Sequence, residues 1–137
     1  MAYKKNNSIL IIVFSEVSRD PRVIRQIETL SNRFEVTVAG FGEQPAGDIK
    51  YVRIRKDPSS SLYKKAFRAA RLITGSYESY YWKLPYVRAA VDAIREGGYD
   101  LVIANDISTL PLALEVADGK PVLFDAHEYY PRQYEDS

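Results

Sequence analysis

Residues 9–14 read Ile9-Leu10-Ile11-Ile12-Val13-Phe14, an apolar run without polar residues at alternate positions. A strand with one face in water alternates polar and apolar side chains, whereas a strand covered on both faces stays apolar throughout. Residues 101–104 (LVIA) repeat this pattern much later in the chain. We therefore predict that residues 9–14 form the first strand, at the middle of a parallel sheet.

Helical patterns separate the predicted strands. Asp20 and Pro21 supply an N-cap and a proline at the first helical position, which predicts a helix over residues 21–32. Residues 62–97 predict two further helices that separate near 74–76, and Leu110 opens another. Residues expected to face the core from this last helix are Leu110, Ala113, Leu114 and Ala117.

The remaining strands are predicted at 34–41, 51–55, 101–104 and 122–126, with a turn over 40–47. Strands that alternate with helices build a parallel sheet through right-handed crossovers. We predict an α/β fold, a Rossmann-like, doubly wound and mainly parallel sheet of about five strands with helices on both faces.

The composition limits the class of protein. The chain has 137 residues, which suits one domain, and its 19 basic and 18 acidic residues give no overall charge argument for nucleic acid. It has no cysteine, which excludes disulfides, thiolate nucleophiles and cysteine metal sites. The run at 9–14 is too short for a membrane span. We expect a soluble, cytoplasmic protein.

Ligands of such sheets bind outside the carboxyl ends of the strands, which directs attention to the loops at 15–22, 105–109 and 125–132. The first loop, which starts at Ser15, leads into a helix N-terminus that favours an anionic group, and Arg19 and Arg22 could add bidentate contacts to a phosphate or carboxylate. The alternative is that Asp20 caps the helix and the arginines are solvated. Neither G-x-G-x-x-G nor a Walker lysine motif is present, so a dinucleotide or phosphate-cradle site is not supported.

His127, the only histidine, follows the last predicted strand between Asp125 and Glu128. It could donate a hydrogen bond to substrate, act as a general base or bind a metal. Metal binding is disfavoured because no second histidine or helical i, i+4 ligand pair exists. Asn105 and Asp106 could bind a polyol, although Asp106 or Ser108 could equally cap the helix that begins near Leu110. A serine triad is set aside because G-x-S-x-G is absent.

Four segments, in order along nearly the whole chain, resemble the N-terminal domain of group 1 (family 4) retaining glycosyltransferases of the GT-B fold. They are 18–25 (SRDPRVIR), 34–38 (FEVTV), 99–106 (YDLVIAND) with Leu110-Pro111, and 124–129 (FDAHEY). Two departures stand out. Ser15-Glu16-Val17-Ser18 replaces the glycine pair of many relatives, and Asn105 stands where relatives often have histidine.

The resemblance implies two Rossmann-like domains that face each other across a cleft. Residues 1–137 would be the acceptor-side domain, and the donor-binding domain with its paired glutamates is absent from this chain. A nucleotide-sugar donor would bind through that missing domain, and the acceptor would be a glycan or a lipid-linked sugar. His127 corresponds to the family's catalytic cleft histidine, and the loop around Ser15 to Arg22 lines the cleft. No metal or other cofactor is implied, and we expect this chain alone to be inactive.

Residues 64–82 combine lysines and arginines with a tyrosine-rich patch ending at Trp82. Such a region could lie on an anionic membrane surface, at the inner face of the membrane. The alternative is that the aromatic rings pack at a helix corner while the cations stay solvated. Nucleic-acid binding is not favoured.

Two other functional classes remain open at the level of sequence. The chain could be a stand-alone Rossmann-like domain that binds a ligand or regulates a partner. It could also be a small hydrolase or epimerase in which His127 works with Asp125 or Glu128 as acid and base.

Overall fold

The computed structural model describes residues 7–54, 82, 84–95 and 97–125. This part of the chain forms five strands and three helices, joined in places by 3-10 turns at Val17–Arg19 and Ile107–Thr109. In chain order they are β1 (Ser8–Glu16), α1 (Pro21–Leu30), β2 (Glu35–Phe41), β3 (Lys50–Arg53), α2 (Pro85–Ile94), β4 (Leu101–Ala104), α3 (Leu110–Ala117) and β5 (Val122–Phe124).

The five strands form one sheet in the order β3-β2-β1-β4-β5, and every neighbouring pair is parallel. The predicted Rossmann-like α/β fold is thereby confirmed, with β1 at the centre of the sheet. The chain builds outward from β1 through β2 to β3 and then returns to the other side of β1 to form β4. The strand order therefore reverses between β1 and β4, and their carboxyl ends border the crevice where such sheets bind ligands.

Alternate residues of β1 are buried on opposite faces of the sheet. Ile9, Ile11 and Val13 belong to the core cluster that Val23 and Ile27 of α1 complete. On the other face the buried residues come from β1, α2 and α3, and they include Leu10, Ile12, Val87, Ile94 and Leu112. Burial on both faces is why the run at 9–14 contains no polar residue.

The helix α3 differs from its predicted inward face at one residue. Leu112, Ala113, Val116 and Ala117 are buried, whereas Leu114 is 58% exposed. The buried residues come in two pairs four positions apart, which is one helical turn, and Leu114 lies on the opposite side of that stripe. The prediction that Leu114 faces the core was wrong.

Element boundaries also moved. The strand β2 ends at Phe41 as predicted but begins at Glu35 instead of residue 34, and the turn predicted over 40–47 begins only at Gly42, whose φ is +83°. The strand β5 ends at Phe124, so that Asp125 follows the strand.

The earlier of the two helices predicted within 62–97 lies outside the described residues. So does the basic and aromatic segment 64–82 except for Trp82, which packs against the core cluster of α2 and α3. No described helix has the length and apolar character needed to cross a bilayer.

Candidate functional site

Polar side chains from β1, α1, β4 and β5 meet at the carboxyl edge of the sheet. Five of them were predicted as site residues. The other two are Asp20, the N-cap of α1, and Gln26, which lies within α1. We call this group the switch-point cluster, and its members are Ser15, Asp20, Arg22, Gln26, Asn105, Asp106 and Asp125.

Asp20 is the N-cap of α1, as predicted. Its carboxylate accepts hydrogen bonds from the backbone N–H of Arg22 at 3.1 Å and from the hydroxyl of Ser15 at 2.8 Å. The N–H of Val23 also points to it, at 3.5 Å. The chain's own carboxylate therefore occupies the helix N-terminus that could otherwise receive an anionic ligand.

Arg22 joins the first loop to the loop after β4. Its Nη2 lies 3.2 Å from a carboxylate oxygen of Asp20 and 3.2 Å from one of Asp106, and its Nη1 donates to the carbonyl oxygen of Asn105 at 2.7 Å. The Arg22 side chain is only 13% exposed. The alternative of a solvated arginine was wrong for Arg22. Its guanidinium contacts three acceptors of the same chain, which are the carboxylates of Asp20 and Asp106 and the carbonyl oxygen of Asn105.

Asp106 connects β4 directly to β1. Its carboxylate accepts the backbone N–H of Phe14 at 3.1 Å in addition to the guanidinium of Arg22. Asp106 also precedes the 3-10 turn that leads into α3, where its own N–H donates to Oγ1 of Thr109 at 3.2 Å. The loops after the two central strands are thus held together at the switch point.

Asn105 and Gln26 form a reciprocal amide pair. Gln26 Nε2 donates to Asn105 Oδ1 at 2.7 Å, and Asn105 Nδ2 donates to Gln26 Oε1 at 3.0 Å. Gln26 Nε2 also lies 3.2 Å from Oδ2 of Asp125, at the end of β5. Asn105 is 1% exposed, so this pairing satisfies a buried amide. Sequence reasoning missed Gln26, although its position four residues after Arg22 places both on the same side of α1.

The structure does not bring every predicted residue into the cluster. The Arg19 side chain is 83% exposed and forms its ion pair with Glu16 at 3.5 Å. His127 and Glu128 lie outside the described residues. Within the described ranges, no three histidine, aspartate or glutamate side chains are grouped to hold a metal ion.

Both charges that meet at the start of α1 are stabilised in their ionised forms. Partial burial raises the pKa of Asp20, but the Ser15 hydrogen bond and the Arg22 guanidinium outweigh it and hold the pKa below its ordinary value. Burial likewise lowers the pKa of Arg22, and the carboxylates of Asp20 and Asp106 more than offset this, so its pKa lies above the ordinary value. Arg22 therefore stays charged across the accessible pH range.

The lowered pKa of Asp20 predicts a specific acid response. Since the folded-state pKa is below the ordinary value of 3.8, the carboxylate stabilises the fold above that pH and this contribution is lost as the pH falls through the folded-state pKa. Asp20→Asn keeps an N-capping side chain but cannot titrate. We expect its unfolding free energy to fall less steeply than that of the wild type between about pH 5 and pH 3.

The measurement is urea unfolding at each pH. Asp92→Asn, which removes an exposed carboxylate from α2, is the control and should keep the wild-type slope. Equal slopes for Asp20→Asn and the wild type would contradict the assignment of this acid response to Asp20.

Comparison with protein-family models, with curated proteins and with solved structures finds no match to this chain. The geometry of the switch-point cluster is thus what bears on function. It holds three carboxylates, the amide pair of Gln26 with the buried Asn105, and an arginine neutralised by two of those carboxylates, at the edge of the sheet where ligands of this fold bind.

Proposed function

We propose that this chain is the acceptor-side domain of a retaining glycosyltransferase of the GT-B fold. It would transfer a sugar from a nucleotide-sugar donor to a glycan or a lipid-linked acceptor, with the donor held by a second domain. The observation that carries the proposal is the switch-point cluster. Polar residues from three of the segments that resemble the family, namely Arg22, Asn105, Asp106 and Asp125, converge at one edge of a Rossmann-like sheet.

Counting partners among the described residues only, the carboxylates of Asp106 and Asp125 keep capacity to recognise hydroxyl groups. An ionised carboxylate can accept about four hydrogen bonds. Asp106 accepts from Phe14 and Arg22, and Asp125 accepts from Gln26. Hydroxyl groups of a sugar could donate to the remaining lone pairs. Since the amide pair and Arg22 hold these carboxylates in place, little ordering would be lost on binding.

His127 is the catalytic residue in this proposal, and it follows Asp125 by two positions. The hydrogen bond from Gln26 fixes the point at which the chain leaves β5. Gln26 would thus act as a positioning residue, and Glu128, next to His127 in the sequence, is a further candidate for contact with the acceptor. The domain's role in transfer is to orient the acceptor hydroxyl, while charge on the leaving phosphate would be stabilised by the donor-binding domain.

The proposal includes a cytoplasmic location with peripheral contact at the inner face of the membrane through residues 64–82. Lysines and arginines near an anionic surface each add about 1 kcal/mol of attraction. Cosedimentation with vesicles of phosphatidylglycerol and phosphatidylcholine should therefore exceed that with phosphatidylcholine alone. Background binding to both vesicle types would remove this part of the proposal.

The decisive experiment is a transfer assay on the native polypeptide, whose intact mass also shows whether a donor-binding domain shares the chain. A panel of nucleotide sugars is supplied with glycan and lipid-linked acceptors, and products are identified by mass spectrometry and anomeric NMR. We expect transfer with retention, and a loss of about hundredfold or more in His127→Ala. Residues 1–137 alone should be inactive, and Asp92→Asn should behave as the wild type.

Two results would contradict the proposal. One is the absence of transfer from any donor together with saturable binding of a small ligand by residues 1–137, which would indicate a stand-alone binding domain. The other is turnover by residues 1–137 without a donor domain, with a raised pKa of His127 in an NMR titration, which would indicate a small acid–base enzyme.

A further inference from the structure

A groove of about 460 Å³ runs between α1 and β5 on the α1 face of the sheet. Its volume falls within the range of about 300–1,000 Å³ that is typical of small-molecule sites. Four apolar side chains on this face form its floor, and we call this feature the α1–β5 groove. They are Leu30, Leu101, Ile103 and Leu123.

The groove exists because of the handedness of the crossovers. Helix α3, which connects β4 to β5, packs in the core cluster of α2, on the face opposite α1. Leu123 pairs in register with Ile103, whose side chain belongs to the α1 face. Within the described ranges no helix covers this side of β5, and Leu123 is 55% exposed.

The groove is continuous with the switch-point cluster. Gln26 and Asp125, which are hydrogen-bonded to each other at 3.2 Å, belong both to the cluster and to the lining of the groove. Arg25, an exposed residue next to Gln26, also lines the groove. Among the described residues, an apolar floor with the cation of Arg25 beside it and the carboxylate of Asp125 at one end is complementary to an amphiphile that carries a phosphate and a sugar.

We propose that the α1–β5 groove binds the apolar chain of a phosphate-bearing, lipid-linked acceptor. The apolar chain lies over Leu123 and Leu101, the phosphate pairs with Arg25, and the sugar reaches Asp125. This inference rests on the proposed function and narrows its acceptor from glycan or lipid-linked sugar to an anionic lipid-linked sugar. Burial of exposed apolar side chains supplies the affinity, and the guanidinium selects the charged headgroup.

The test uses farnesyl phosphate as the probe, below its micelle concentration, with farnesol and inorganic phosphate as matched probes. Binding to the chain is followed by ¹H–¹⁵N NMR. Farnesyl phosphate should bind saturably and shift the amide signals of Leu30, Leu101 and Leu123. Farnesol should bind about fivefold more weakly, because one ionic contact near a surface contributes about 1 kcal/mol. Inorganic phosphate alone should not saturate.

Matched substitutions locate the binding. Leu123→Asp should weaken farnesyl phosphate binding by about tenfold or more, since it places a like charge and a polar group on the apolar floor. Leu114→Asp is the control, because Leu114 is 58% exposed on α3, away from the groove. Arg25→Gln should remove the preference for farnesyl phosphate over farnesol, whereas Arg88→Gln, on α2, should retain it. Circular dichroism verifies that all four variants fold.

Several results would overturn the inference. Equal weakening by Leu123→Asp and Leu114→Asp would show non-specific adsorption. A dimer in sedimentation equilibrium that Leu123→Asp converts to monomers would show that a second copy fills the groove.

The transfer assay separates this inference from the proposed function. Transfer to soluble glycans that is unchanged in Leu123→Asp would retain the glycosyltransferase and remove the lipid site. Farnesyl phosphate could instead bind saturably and in a Leu123-dependent way while no donor supports transfer. That result would support the lipid site and contradict the proposed glycosyltransferase function.

Discussion

Replacement of Arg22 by methionine is expected to lower the unfolding free energy by about 3 kcal/mol. The substitution keeps most of the aliphatic volume but removes the cation between Asp20 and Asp106, whose side chains are only 15% and 22% exposed. Two partly buried carboxylates would then lack a counter-charge, and the carbonyl oxygen of Asn105 would lose its 2.7 Å hydrogen bond. Breaking one partner of a buried network costs more than the network itself contributes.

Urea unfolding at neutral pH measures this loss. Arg22→Lys should cost less than Arg22→Met, because an ammonium group retains the charge without the fork that reaches three acceptors. Adding Asp106→Asn to Arg22→Met should recover part of the loss by removing one unpaired charge. Arg19→Met is the control, since that side chain is 83% exposed and should change stability by less than about 0.5 kcal/mol. A similar small effect for Arg22→Met would show that the network contributes nothing to stability.

Substitution of Gly40 by alanine is expected to cost about 2 kcal/mol through overpacking. A Cβ at this position would lie 2.3 Å from Cγ2 of Val17 and 3.1 Å from Cγ1 of Val13. Both valines are fully buried, and Val17 is short and β-branched, so neither side chain can swing away cheaply. The close approach of β2 to the 3-10 turn after β1 requires the absence of a side chain at residue 40.

A double-mutant cycle with Val17→Ala tests this explanation. Val17→Ala alone leaves a cavity and should destabilise the chain, but it removes the methyl group that an alanine Cβ at residue 40 would meet. The double variant should therefore be more stable than the sum of the two single losses predicts. Gly119→Ala is the comparison for backbone strain without contact, because Gly119 has a φ of +85° and open space around it. Additive losses for Gly40 and Val17 would exclude the steric contact as the cause.

The sequence predicted which residues lie at the site but not which of them contact each other. Ser15, Arg22, Asn105, Asp106 and Asp125 were identified because each follows a strand or opens a helix at the carboxyl edge. Their partners could not be predicted, since Arg22 and Asp106 are separated by 84 positions along the chain. A sequence pattern shows which residues reach an edge of the sheet, but only packing brings particular side chains within hydrogen-bonding distance.

Gln26 is a residue of the cluster that the sequence did not predict. A glutamine on a helix surface is ordinarily solvated, and its spacing from Arg22 indicates a shared side of α1 but not the partners on that side. It joins the cluster because its amide reaches Asn105 and Asp125, which directly follow β4 and β5. The α1–β5 groove is equally a product of the crossovers, because a strand with an apolar sequence does not reveal which of its faces stays uncovered.

The sequence by itself determined the class of fold and the edge of the sheet that carries polar groups. Uninterrupted apolar runs specify strands buried on both faces, and N-cap and proline signals specify where helices begin, because both depend on neighbours within a few residues. Tertiary structure alone decided that Arg22 forms ion pairs with Asp20 and Asp106. It also decided that the side chains of Leu114, Leu123 and Phe124 are exposed to solvent. Those outcomes depend on distances between segments far apart in the chain, which strand order and crossover handedness set only when the sheet assembles.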